Sequence, residues 1–244
     1  MFWHAAWERV LGDASGWHTN WSWALGIVFL VLTVRVALIP LVVRQVRSQR
    51  ALQVLQPRIK ALQEEHRGDF GTLQTKLREL YRAERVSPLA SILPMLVQAP
   101  ILFGLLHVLR HLRPAVTSAG ARTLYGWTLT QFDSAASAKL FGAPLAATLG
   151  AGGPSLIVAA VLIVVMVVAT FLTSRQLIRS TGWAAEAQGR LVQRLMLVGV
   201  PASLLVSGAF FPLGVVLYWT TQSLFAYAQQ TWILRRFPPV PATH

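Results

Sequence analysis

The sequence predicts an all-α integral membrane protein, with five transmembrane helices and a cytoplasmic helical hairpin after the first. Three observations carry that prediction. Of the 244 residues, 54% are hydrophobic and only 13% charged, where a soluble domain carries about 25% charged residues. Five stretches are long and apolar enough to cross a bilayer, which takes roughly 20 residues. Between the first two lies a polar, basic segment whose leucines recur at helical spacing.

Net charge is +13. In a soluble protein that balance would point to nucleic acid, but here the enrichment of Lys and Arg in cytoplasmic loops of membrane proteins explains it more simply, and no DNA partner is called for. There are no cysteines, which excludes disulfides, thiolate metal sites and a lipid-anchored cysteine.

Residues 1–20 lack the basic, apolar and small-residue blocks of a signal peptide. They are read as mature sequence, aromatic-rich and suited to lie at the outer interface. The first span, 21–43, opens on Trp21 and Trp23, which suit a headgroup boundary, and ends before Arg44, Arg47 and Arg50. Arg35 stands inside it, nine residues before Arg44, or about 13 Å deeper on one straight helix. An arginine at mid-membrane costs about 2.5–3.5 kcal/mol on insertion scales.

The insert 44–88 holds ten Lys and Arg. Leu52, Leu55, Ile59 and Leu62 form one stripe, and Leu73, Leu77 and Leu80 a second, on either side of a turn at Gly68–Gly71. The stripes can meet each other, the membrane surface or a partner. The second span, 89–109, contains Pro94, Gln98, Pro100 and Gly104, tolerable where neighbours satisfy the freed carbonyls. An external loop, 110–153, follows, with a short interfacial helix expected around Tyr125–Leu140. The third span is 154–174, then a basic cytoplasmic loop, 175–190, and a fourth span, 191–210, in which Ser207 reads as a small residue at a helix contact. The turn FFPLG leads into the fifth span, 215–234, and a tail, 235–244. Sixteen of the 22 Lys and Arg fall in the hairpin, the loop after the third span with Arg194 just beyond it, and the tail. That side is cytoplasmic, which places the N-terminus outside and the C-terminus inside.

No acid lies within any span, so a proton- or cation-coupled relay is hard to build. No catalytic residue, metal site or cofactor motif is visible: there is no HExxH, no cysteine nucleophile and no glycine-rich phosphate loop. What remains is polar. In the last span Trp219, Gln222, Ala226 and Gln230 share one helical face. That face, Arg35 and the polar ends of the second and third spans can line one hydrated cavity. Alternatively, Arg35 snorkels to the cytoplasmic interface and the rest make interhelical hydrogen bonds.

Three segments, TVRVALIPLVVRQVRSQRALQVLQPRIKALQEEH (33–66), LYRAERVSPLASILPMLVQAPILFGLL (80–106) and FPLGVVLYWTTQSLFAYAQQTWIL (211–234), together resemble the YidC family of membrane-protein insertases in order, spacing and layout. The family's groove arginine falls on Arg35, its LQP-I-K hairpin pattern on Leu55, Gln56, Pro57, Ile59 and Lys60, and its Tyr-Trp pair on Tyr218 and Trp219. Ser87 stands where members often carry Asn, and Thr173 where they often carry Gln; the loop 113–153 matches poorly. Neither the large periplasmic domain of some members nor a lipoprotein signal is found.

The resemblance implies five helices enclosing a hydrophilic groove, lined by Arg35, Gln98, Thr173, Trp219 and Gln222, in a bacterial inner membrane. Newly made membrane proteins and the lipid bilayer are the implied partners, with the ribosome and the general translocation channel as further candidates. It implies an insertase that needs no cofactor and catalyses no chemical step. The rival readings are a small anion transporter or channel built on Arg35, and a structural subunit of a larger complex.

The charge count sets an expected topology. A reporter fused after Arg236 should report from the cytoplasm and one inserted at Ser118 from outside; a cytoplasmic Ser118 would sink the five-span layout.

Overall fold

The computed structural model describes residues 2–11, 19–84, 86, 99–100, 103–104, 106–108, 128–182 and 187–236. The second predicted span lies largely outside them, as does most of the external loop up to residue 127. Eight α-helices are labelled here in chain order: α1 Phe2–Leu11, α2 Trp21–Ala37, α3 Ile39–Glu65, α4 Phe70–Ala83, α5 Leu129–Ala136, α6 Gly153–Thr181, α7 Ala187–Phe210 and α8 Leu213–Arg236. Among the described residues, α6 and α7 are long and apolar enough to cross a membrane, and a third span results if α2 and Ile39–Leu52 count as one broken span. The chain is thus a helical membrane protein, folded as two compact units, 34–104 and 1–33 with 105–244.

The first expected span is not one helix. It breaks at Leu38, and α3 begins at once with Pro40 in its first turn. Proline has no N–H to give the carbonyl four residues back, Val36, and its ring crowds that carbonyl. The ladder continues around the break through Leu38 N–H to Val34 (3.0 Å) and Val42 N–H to Leu38 (2.9 Å). The depth of Arg35 on one straight helix therefore does not carry over.

Within the unit 34–104, α3 and α4 pack through Leu55, Ile59 and Val86, flanked by Leu52, Leu77, Leu80 and Tyr81. The two stripes meet each other. The tight turn needs Gly68 at φ 98°, a left-handed backbone that glycine adopts without strain. Asp69 then caps α4, accepting the Thr72 N–H at 3.1 Å. Hydrogen bonding from Thr72 holds the Asp69 carboxyl below its usual range. An exposed Arg58–Glu84 pair (2.8 Å) also joins the arms, an interaction worth about 0–1 kcal/mol, so the apolar stripes dominate.

In the other unit, α1 lies along the start of α2. His4 stacks on Trp23 with ring centres 3.8 Å apart, while Trp3 and Trp7 both pack on Phe29. Burial holds the His4 imidazole below its ordinary range, opposed by Glu8 at 3.7 Å. The loop before α6 contains a short helix where one was expected, α5, opened by a reciprocal capping box between Thr128 and Gln131. It also contains an unexpected β-hairpin, Lys139–Leu140 with Ala143–Pro144, turning on Phe141 and Gly142.

α6 buries Ala159, Ile163, Met166 and Ala169 and exposes Leu156, Ile157, Val161, Val164 and Val168. One face meets α7 and α8. The contact with α7 forms at Gly208, where an added Cβ would sit 2.8 Å from Ile163 Cγ1. The small residue at this contact is therefore Gly208, and Ser207 beside it is half-buried. Near its start α7 widens into a π segment, Leu195–Gly199, where Val200 N–H reaches back five residues to Leu195. Pro201 follows directly, and the wider turn accommodates a ring that would crowd the Leu197 carbonyl.

Gly208→Ala should lower the unfolding midpoint in detergent, because overpacking of this kind costs about 1–3 kcal/mol. Ser207→Ala should leave it nearly unchanged. Equal effects would show that the close approach of α7 to α6 is not what Gly208 provides.

Candidate functional site

The richest polar constellation in the structure lies between α6 and α8. Three rungs cross it. The Thr220 hydroxyl is 2.8 Å from the Val216 carbonyl of its own helix and 3.1 Å from the Leu162 carbonyl of α6. Thr170 Oγ1 lies 3.2 Å from Ser223 Oγ. Gln176 Nε2 donates to Thr231 Oγ1 at 3.1 Å, and that hydroxyl donates on to the Tyr227 carbonyl at 2.9 Å. The rungs descend toward the basic end of both helices, where Arg175, Arg179, Arg235 and Arg236 stand. Hydrogen bonds between membrane helices average about 0.6 kcal/mol. The rungs therefore set the register of α8 on α6, while packing of Met166, Val216 and Ile163, all buried, holds the pair together.

The predicted groove residues stand in different surroundings. Thr173 donates to the Ala169 carbonyl of its own helix at 2.8 Å. Trp219 is half-buried, with its ring edge-on to Phe211 at 4.9 Å. Gln222 is also half-buried. All three belong to the unit 1–33 with 105–244. Arg35, half-buried in the last turn of α2, belongs to the unit 34–104. Gln98 lies outside the described residues. Along α8 the face that meets α6 carries Thr220, Ser223 and Thr231, one step round from the predicted face of Trp219, Gln222, Ala226 and Gln230. On α8 the sequence reading chose the face of Trp219 and Gln222 over that of the neighbouring hydroxyls. The signal was present as small hydroxyl residues at helical spacing, Thr220, Ser223 and Thr231, opposite Thr170 and Gln176.

The five expected hairpin residues also separate. Leu55 and Ile59 are buried in the core between α3 and α4, whereas Gln56, Pro57 and Lys60 are exposed. At the tip, Phe70 is 83% exposed. Among the described residues no group of three or more His, Asp or Glu comes together to hold a metal.

A broken first helix, a basic two-helix insert and a polar seam between α6, which is long and apolar enough to cross a membrane, and α8, the helix of the expected fifth span, which is not among the helices that meet that measure, define a helical membrane protein. Residues 15–240 match the family model of the 60Kd inner membrane protein, and the chain belongs to that family, whose YidC members its three segments resemble. A Streptomyces avermitilis relative is 34% identical over 243 residues, covering 95% of this chain and 55% of the relative. A Mycobacterium tuberculosis relative is 31% identical over 250 residues (93% and 68%). One from Tropheryma whipplei is 32% identical over 246 residues (93% and 76%). Each of the three is named membrane protein insertase YidC. This chain spans about half the length of the Streptomyces relative and larger shares of the other two.

The split among the hairpin residues is measurable. Leu55→Ala should loosen the pair of arms by about 2–5 kcal/mol, as truncation of buried leucines does, and speed hydrogen exchange across 44–84. Lys60→Ala and Gln56→Ala should change exchange little, since exposed substitutions stay within about 0.5 kcal/mol. Equal exchange in all three variants would show that the stripes do not hold the arms.

Proposed function

We propose that this chain is a membrane-protein insertase, taking hydrophobic segments of newly made proteins from the cytoplasm and releasing them sideways into the bilayer. The observation that carries the reading is the family match over residues 15–240, with relatives named as insertases that align to more than nine-tenths of the chain. The names of these relatives give no support to the rival anion transporter or channel.

In this reading five spans cross a bacterial inner membrane, with the N-terminus outside and the basic side cytoplasmic. They enclose a hydrophilic groove to which Arg35, Gln98, Thr173, Trp219 and Gln222 contribute. Arg35 attracts the acidic leading end of a substrate. At 4 Å a unit-charge pair gains about 1 kcal/mol in water and about 4 kcal/mol at an effective dielectric of 20, so partial withdrawal from water strengthens that attraction. Burial of apolar substrate surface in lipid, at roughly 25 cal/mol per Å², drives departure. No chemical step or nucleotide enters. The exposed Gln56, Pro57 and Lys60 on α3 offer the first contact to the substrate, on arms held in place by the buried Leu55 and Ile59. The basic loops and tail suit a ribosome or a translocation channel as further partners.

The test is insertion into liposomes of two substrates that differ only in the charge of the leading segment. Arg35→Ala should cut insertion of the acidic substrate about tenfold, the scale of losing one screened charge pair, and spare the neutral one. Arg35→Lys should retain much of the activity, because a point charge suffices where no fixed bidentate geometry is read. Equal loss for both substrates in Arg35→Ala would show that Arg35 supports the fold or hydrates the groove and does not recruit the acid.

A further inference from the structure

The external β-hairpin is too small to stand by itself. Each strand is two residues long, pairing Lys139 with Pro144 and Leu140 with Ala143, and an isolated hairpin is marginal even when longer. Its turn is also strained. Phe141 has φ 49° and Gly142 φ 79°. Positive φ at both positions suits a two-residue hairpin turn, but the first position normally takes Asn, Asp or Gly. A phenylalanine there persists only when its surroundings hold it.

The holding groups come from the chain just before α2. Thr19, fully buried, accepts the Phe141 N–H at 2.8 Å. Asn20 N–H donates to the Lys139 carbonyl at 2.8 Å, and the Asn20 side-chain oxygen accepts the Lys139 N–H at 2.8 Å. Trp23 Nε1 donates to Ser134 of α5 at 3.0 Å, and the rings of Trp21 and Phe141 meet edge-on at 5.9 Å. On the other side, Leu145 and Ala147 accept the N–H groups of Gly214 and Leu213 at the start of α8 (2.9 and 2.8 Å). Leu140, Ala143, Leu145, Leu213, Val215 and Val216 are all buried. At the basic end of this unit the ties among the described residues are side-chain ones, Gln176 to Thr231 at 3.1 Å and Gln193 to the Gly182 carbonyl at 2.9 Å, and none of them holds a strained turn.

From this geometry we infer that the hairpin is a clasp tying the outer ends of α2 and α8 together, that it stays shut through the working cycle, and that Thr19 and Asn20 are the positioning residues that keep it shut. Opening the outer end would break the Thr19, Asn20 and Gly214 hydrogen bonds together and release Phe141 from a conformation it does not hold alone. The inference rests on the topology and insertase reading proposed above.

The absence of native cysteines gives a clean test on the full chain in liposomes. In the first arm Trp21→Cys and Phe141→Cys are bridged by a short bis-maleimide. Bridged and unbridged protein should insert substrate at rates within about twofold of each other, as a fixed contact requires. A tenfold or greater loss on bridging, absent with a monofunctional maleimide, overturns the inference. If the unbridged double variant inserts nothing while the wild type does, Val215→Cys labelling decides alone; if the wild type inserts nothing, it is the insertase reading that fails.

In the second arm a membrane-impermeant maleimide is added outside. Val215→Cys should stay unlabelled with the clasp intact, including during substrate passage. Thr19→Val should raise its labelling about tenfold, as a local opening would, while leaving the labelling of Ile233→Cys at the basic end, read with a membrane-permeant maleimide, unchanged. Asn20→Ala serves in its place if Thr19→Val does not fold. Labelling of Val215→Cys with the clasp intact, no rise in the loosened variant, or an equal rise at Ile233→Cys would each overturn the inference.

Discussion

The fold depends on satisfying polar groups where water is scarce. In hydrocarbon an unpaired backbone N–H or carbonyl costs several kcal/mol, so every interruption of a helix must be paired locally. The interruptions here fall at prolines and at helix ends. Pro40 sits next to the break at Leu38. Pro201 follows a π segment that keeps the Leu195 carbonyl bonded. Where α7 gives way to α8, the N–H groups of Leu213 and Gly214 are taken up by the carbonyls of Ala147 and Leu145 in the loop before α6. The Thr220 hydroxyl pairs with its own helix while reaching the Leu162 carbonyl across the seam.

This economy bears on function. A passage for polar segments through an apolar medium needs polar lining and also needs helices that keep their register while one of them shifts. Thr170, Ser223, Gln176 and Thr231 supply register at little cost in stability, because each hydroxyl remains bonded or close to a neighbour. Apolar packing at Gly208 and Met166 supplies cohesion. Two kinds of contact thus divide the work, one directional and weak, the other strong and without direction.

Much of this was legible in the sequence. Apolar runs marked α6 and α7, leucine spacing marked the mutually packed α3 and α4, and a short helix was expected around Tyr125–Leu140, where α5 lies. Four features were not legible, each for a physical reason. Pro40 lies in a run so apolar that length masked its effect on the helix. The turn at Phe141 and Gly142 escaped because phenylalanine is not a turn residue, and the groups that hold it, Thr19 foremost, lie about 120 positions away in the chain. At the α6–α7 contact a serine beside a glycine drew the eye, although the glycine makes the close approach. The hydroxyl seam was hidden for a similar reason: threonine and serine in a span look like filler until the opposite helix is known.

The π segment of α7 has a consequence for how this chain is compared with its relatives. A turn that closes on the fifth residue instead of the fourth holds one residue more than regular winding would. Such a turn absorbs a single inserted residue, so both flanks can keep their neighbours when the count between them changes by one. Numbering along α7 is therefore a poor guide to equivalence: residues before 195 and after 199 should be matched to a relative as two separate blocks, each by its own contacts.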